Sequence, residues 1–154
     1  MIKIAFHLAH PAHFHLFKHT ILKLIERKHQ VIITYNDKDV LRLLIENSEL
    51  KKYAFRIKSI KSINTKWHLN IQFTQKILGT FFRYIKFKPD IVLGTSVIIS
   101  LVGRILKYKS IIVNEDDFDI VQKTANLGYP HASHIICPTV CRTGKFNSKS
   151  INYE

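Results

Sequence analysis

The segment AFHLAHPAHFHLFKH, Ala5 to His19, holds five of the nine histidines in the chain, grouped around Pro11. Imidazole gains and loses a proton near neutral pH, so such a cluster suits proton transfer, hydrogen bonding to a substrate, or metal ligation. Metal ligation is the weakest of the three. The HxxHxH spacing of His10, His13 and His15 straddles a proline turn, and no obvious fourth ligand completes a tetrahedral zinc site. Cys137 and Cys141 stand four apart with no second pair, so both read as free thiols. The segment lies where a strand hands over to a helix. His15 and His19 are four apart beside Lys18 on a helix face expected to meet solvent, and His7 alternates inside the strand.

The elements that must position these groups follow from hydrophobic periodicity. Ile2–Leu8 reads as a strand, and Pro11 opens a helix with Phe14, Phe17, Ile21, Leu24 and Ile25 on one face. Gln30–Tyr35 is a second strand, followed after Asn36 by a short helix carrying Val40, Leu43 and Leu44. Tyr53–Ile57 is a weaker third strand and Trp67–Ile85 a long helix. Asp90–Gly94 (DIVLG) is a buried fourth strand, and Thr95 and Ser96 cap a helix to about Leu106. Ser110–Asn114 and His134–Cys137 complete the set. Strands that alternate with helices imply a doubly wound Rossmann-like parallel sheet, here of five to six strands with the first one central and helices on both faces. Such sheets bind ligands beyond the carboxyl ends of their strands, where strand order reverses. The loops Ala9–His13, Thr95–Ser96 and Asn114–Asp117 are therefore expected to converge there.

Composition excludes several alternatives. At 154 residues with 46% hydrophobic content the chain is sized for one domain, residues 1–154. No run reaches about 18 uncharged apolar residues and no signal peptide is legible, so a cytoplasmic location is expected. The net charge of +13 asks for an anionic partner. Of the 24 basic residues, 18 are lysine, and no arginine–aromatic surface or reading motif supports nucleic acid, so none is expected as a partner. The five glycines form neither GxGxxG nor a Walker loop. No metal or organic cofactor is expected. The helix around 67–88 mixes Trp67, Phe81 and Phe82 with Arg83, Lys86 and Lys88, a pattern suited to an anionic membrane surface.

HPAHFHLFKHTI, then a strand and the polar NDKD, with PDIVLGTS, SIIVNEDD and HIICPT further along, resembles the family called domain of unknown function 354. That family is related to GT-B glycosyltransferases and to UDP-N-acetylglucosamine 2-epimerases. The resemblance covers nearly the whole chain and implies the N-terminal domain of a GT-B-type fold, with a second domain that holds most of the sugar nucleotide absent here. It implies a histidine general base in the first loop, for which His13 and His10 are the candidates; the helix N-terminus would keep such a base neutral. It also brings Glu115 near a glutamate that aids proton transfer in the epimerases, whose aspartate after the fourth strand is replaced by Thr95-Ser96. Pro11, His15, Thr95, Ser96, Asn114 and Asp116 are the candidate substrate contacts; Asp116 or Asp117 could instead cap the next helix.

The function implied is an acceptor-side domain of a glycosyltransferase of surface polysaccharide or lipid-linked sugar synthesis, with a sugar nucleotide, a lipid-linked or glycan acceptor and an anionic membrane as partners. The isolated chain is expected to be inactive. The alternatives are an epimerase-like enzyme acting on a sugar nucleotide, and a non-catalytic binding protein on the same fold.

Overall fold

The computed structural model describes residues 1–37, 39–60 and 66–154. Lys38 of the NDKD segment and the side chains of Asp39 and Lys66 lie outside the described residues. Seven strands form the sheet: β1 (Lys3–Leu8), β2 (Gln30–Asn36), β3 (Ala54–Ile57), β4 (Ile91–Gly94), β5 (Lys109–Val113), β6 (His134–Pro138) and β7 (Ser150–Tyr153). Between them run α1 (Pro11–Glu26), α2 (Asp39–Glu46), α3 (Lys66–Phe87), α4 (Ile98–Leu106) and α5 (Phe118–Gly128).

Every strand pair is parallel, in the order β3-β2-β1-β4-β5-β6-β7. The doubly wound expectation holds, with two corrections. A seventh strand, β7, pairs with β6; its SINY sequence is short and mostly exposed, so it carries no hydrophobic alternation to announce it. β4, not β1, stands in the middle of the seven, with β1 beside it.

Strand alternation divides the core into two layers. Ile4, Phe6 and Leu8 of β1 join Val31, Ile33 and Tyr35 of β2 against Phe14, Phe17 and Ile21 of α1 and Leu41 and Ile45 of α2. Ala5, Ile32, Val92 and Ile112 face the other way, against Tyr84 of α3 and Ile98, Ile99 and Val102 of α4. A parallel sheet covered on both faces buries successive residues, which is why QVIITY and IAFHL are nearly continuous apolar runs. His7 falls in the second layer and is fully buried. Across from it, Gly94 pairs with His7 in the ladder, and a Cβ there would lie 2.6 Å from the His7 carbonyl oxygen. Only glycine allows β4 to come this close to β1 at the mouth of the sheet.

α3 contributes both to the core and to the surface. Tyr84 and Thr80 are buried, while Trp67, Ile71, Leu78, Phe82 and Ile85 are exposed. Their spacing of four, seven, four and three residues puts these five on one side of the helix. No helix among the described residues is long and apolar enough to cross a membrane.

Candidate functional site

The β1–α1 connection is closed by its own side chains. His10 is the N-cap of α1, in extended conformation, and its Nδ1 accepts the Ala12 backbone N–H at 3.3 Å. Pro11, the first helical residue, has no N–H to satisfy. His13, three residues after the cap, turns back: its Nδ1 accepts the backbone N–H of Ala9 at 3.1 Å and of His10 at 3.2 Å. This is a capping box built from two histidines, where a serine or threonine and a glutamate usually stand. The two rings lie 5.9 Å apart.

The same His13 ring reaches the loop after β4. Thr95 Oγ1 lies 2.9 Å from Nε2 and 3.0 Å from Nδ1. The lone pair of Nδ1 is taken by two backbone N–H groups, so in the neutral ring the hydrogen resides on Nε2. Thr95 Oγ1, nearly equidistant from both ring nitrogens, therefore packs against the ring near Cε1 and is out of line with the Nε2–H. It ties β1 to β4 at the place where chain order reverses in the sheet. Ser96 turns the other way, its Oγ accepting the Ile98 N–H at 3.3 Å, so it supports the start of α4 as the sequence suggests.

These loops line a crevice of about 580 Å³. His10, His13, Thr95, Ser96, Asn114, Glu115 and Asp116 all reach it. Within the third loop, the Asn114 side-chain amide donates to the Asp116 carbonyl, and the Cys141 thiol donates to the Glu115 carbonyl at 3.2 Å. Pro11 and His15 do not line the crevice. Pro11 occupies the first turn of α1, and His15 is exposed with its ring edge-on to Phe14 at 5.4 Å. Asp117 stands at the N-cap position of α5 without making a side-chain cap; its carboxylate accepts the Arg142 N–H at 2.8 Å.

The far wall was not legible in sequence. Asn36, the last residue of β2, is 7% exposed and lines the crevice, and its Oδ1 has no hydrogen-bond partner among the described residues. Phe73 and Lys76 of α3 join it, as do Thr124 and Tyr129 beyond β5. Lys76 belongs to the helix that the sequence assigned to a membrane face. A helical periodicity that separates buried from exposed positions gives no sign of which buried position opens onto a cleft.

Beneath this wall, His7 Nδ1 bonds Thr34 Oγ1 at 3.0 Å, and Thr34 Oγ1 bonds Tyr84 OH at 2.8 Å. Burial is the main reason the His7 imidazolium is disfavoured, lowering its pKa to about 4, and its neighbours His13 and Lys76 add to this. Its Nε2 has no partner among the described residues. Those residues contain no group of three or more His, Cys, Asp or Glu able to hold a metal.

No family model and no curated protein matches the sequence. Solved structures do match the fold. UDP-GlcNAc 2-epimerase from Neisseria meningitidis, bound to UDP-GlcNAc, has a TM-score of 0.77 at 14% identity over 98% of this chain and 46% of its own. The enzyme of the same name from Methanocaldococcus jannaschii has a TM-score of 0.72 at 18% identity, over 98% and 45%. The lipopolysaccharide outer core galactosyltransferase WaaB, in its apo form, has a TM-score of 0.67 at 12% identity, over 97% and 44%. The chain spans just under half the length of these proteins, and its fold is that of the Rossmann-like N-terminal domain of GT-B-type structures.

Proposed function

We propose that this chain is the acceptor-side domain of a two-domain, GT-B-type glycosyltransferase and belongs to the family called domain of unknown function 354. The observation that carries the reading is the His13–Thr95 bridge at the strand-order reversal, with His10 and Glu115 lining the same crevice. Open parallel sheets bind their ligands at this place. The donor is a sugar nucleotide, held mainly by the second domain, because no glycine-rich phosphate cradle occurs in this sequence.

The acceptor is a glycan or lipid-linked sugar, handled by a cytoplasmic enzyme at the inner face of the membrane. The exposed stripe of Trp67, Ile71, Leu78, Phe82 and Ile85, flanked by Lys86 and Lys88, supports a peripheral foothold on an anionic bilayer. A second reading, an epimerase acting on a sugar nucleotide alone, is favoured by the UDP-GlcNAc 2-epimerases among the similar structures.

Supplying the full-length enzyme with UDP-sugars, with and without acceptor glycans, separates the two. A transferase consumes the nucleotide only when an acceptor is present; an epimerase interconverts it alone. Neither activity across a donor panel would leave a binding protein.

A further inference from the structure

The two sides of the crevice offer different polar groups. Glu115 and Asp116 stand on one side, in the loop after β5; Asn36, at the end of β2, and Phe73 and Lys76 of α3 stand on the other. Between β2 and β5 lie β1 and β4, so about 14 Å of sheet separates the two sides at ~4.8 Å per strand. Charges that far apart in a wet crevice are largely screened from each other at physiological salt, where the Debye length is about 8 Å. Each side therefore selects its own part of a ligand.

The Asn36 side is made of donors. Asn36 is buried, and its Oδ1 is turned into the protein without a partner among the described residues, so the amide edge left for the crevice is its NH2. Lys76 adds an ammonium, which donates and never accepts. Its place is fixed by the helix: Thr80 and Tyr84, one and two turns further along the same face of α3, are fully buried against the sheet. Lys76 itself is half-buried, and its charge is felt by His7 beneath the floor, so the ammonium stands over the sheet. Phe73 supplies an aromatic ring to the same wall.

A sugar hydroxyl both donates and accepts, and suits a wall of either kind. An ionised carboxylate or phosphate presents acceptor oxygens, and hydrogen bonds to such a group are about twice as strong as neutral ones. We infer that Asn36, Phe73 and Lys76 form a subsite for a sugar carrying an anionic group, whose oxygens accept from the Lys76 ammonium and the Asn36 amide while its ring packs on Phe73. The net charge of +13 favours the approach of such a ligand. The inference rests on the glycosyltransferase reading in one respect, that this sugar belongs to the acceptor. The acceptor is then an acidic glycan, with a carboxylate or phosphate on the residue beside Lys76.

The first test is binding to this chain, followed by NMR at about 0.15 M salt, with glucuronate, glucose 6-phosphate, glucose and inorganic phosphate as probes. At least one anionic sugar should bind about tenfold more tightly than glucose or inorganic phosphate, as expected for a hydrogen-bonded contact to a charged group. The tighter of the two distinguishes carboxylate from phosphate. Lys76→Met should remove the advantage and Lys76→Arg keep most of it, while Lys86→Met, at an exposed position of the same helix, should leave it unchanged. Asn36→Asp, which puts a carboxylate against the ligand, should also remove it, with dispersed amide signals showing that the fold persists. Glucose or inorganic phosphate binding as tightly as the anionic sugars, no binding of either anionic sugar, an undiminished advantage in Lys76→Met, or an equal loss in Lys86→Met would each overturn the inference.

The second test uses the full-length enzyme. Lys76→Met should raise KM for an acidic acceptor about tenfold with kcat little changed, as for a group that binds the ground state and the transition state alike. A fall in kcat with KM unchanged would overturn the subsite. Binding of anionic sugars by an enzyme that transfers nothing would refute the functional reading alone and leave the subsite in place.

Discussion

His7 sits under the floor of the crevice, and its burial has a measurable consequence. In the folded chain its pKa is about 4, against an ordinary value of 6.5. Above pH 6.5 it is neutral in both folded and unfolded chains, so it has no effect on stability there. As pH falls from 6.5 toward 4, the unfolded chain takes up the proton first and stability is lost, by about 3 kcal/mol in full. Urea midpoints measured between pH 7.5 and 4.5 should therefore fall more steeply for the native chain than for His7→Asn, and parallel slopes would show that His7 is not buried in this way. His13→Ala tests a different cost. It removes the side chain that answers the Ala9 and His10 N–H groups, so it should reduce stability by about 1 kcal/mol. Gly94→Ala would drive a Cβ against the His7 carbonyl at 2.6 Å and should cost about 1–3 kcal/mol or more in the same urea assay.

Among the elements, α3 has two separate roles. Its inner positions place Tyr84 on Thr34 and bring Phe73 and Lys76 to the crevice wall. Its outer positions carry Trp67 and Phe82, which are 80% and 65% exposed, the Phe82 ring edge-on to Phe81 at 5.7 Å. Replacing both with serine should leave the urea midpoint within about 0.5 kcal/mol, because exposed side chains contribute little to folding. The same change should reduce sedimentation with anionic vesicles. Equal partitioning of native and variant protein, or of native protein onto neutral and anionic vesicles, would refute the membrane foothold. By contrast, the first turn of α1 offers few independent groups for substitution, since Ala9, His10, Ala12 and His13 are bonded to one another.

On the scale of the whole molecule, two apolar layers enclose a parallel sheet with its loops gathered at one end, and the chain should unfold cooperatively on its own. We predict no turnover by this chain with UDP-GlcNAc and any acceptor, because its glycines form neither GxGxxG nor a Walker loop to hold the leaving diphosphate; measurable nucleotide release above the uncatalysed background would contradict this. The apolar runs IAFHL, QVIITY and DIVLG and the helical spacing of Phe14, Phe17 and Ile21 determined the layer architecture from sequence, because burial on both faces of a sheet leaves a continuous local signal. The convergence of His13, Thr95 and Glu115 followed from the same alternation, since βα order fixes which loops share an end. Local sequence could not determine the partner of each imidazole nitrogen, the membership of Asn36 and Lys76 in the crevice, or the addition of β7. Hydrogen-bond direction depends on atoms brought together across the sheet, a helix position facing a cleft has the same period as one facing the core, and a polar edge strand such as SINY exists only because β6 offers it a ladder.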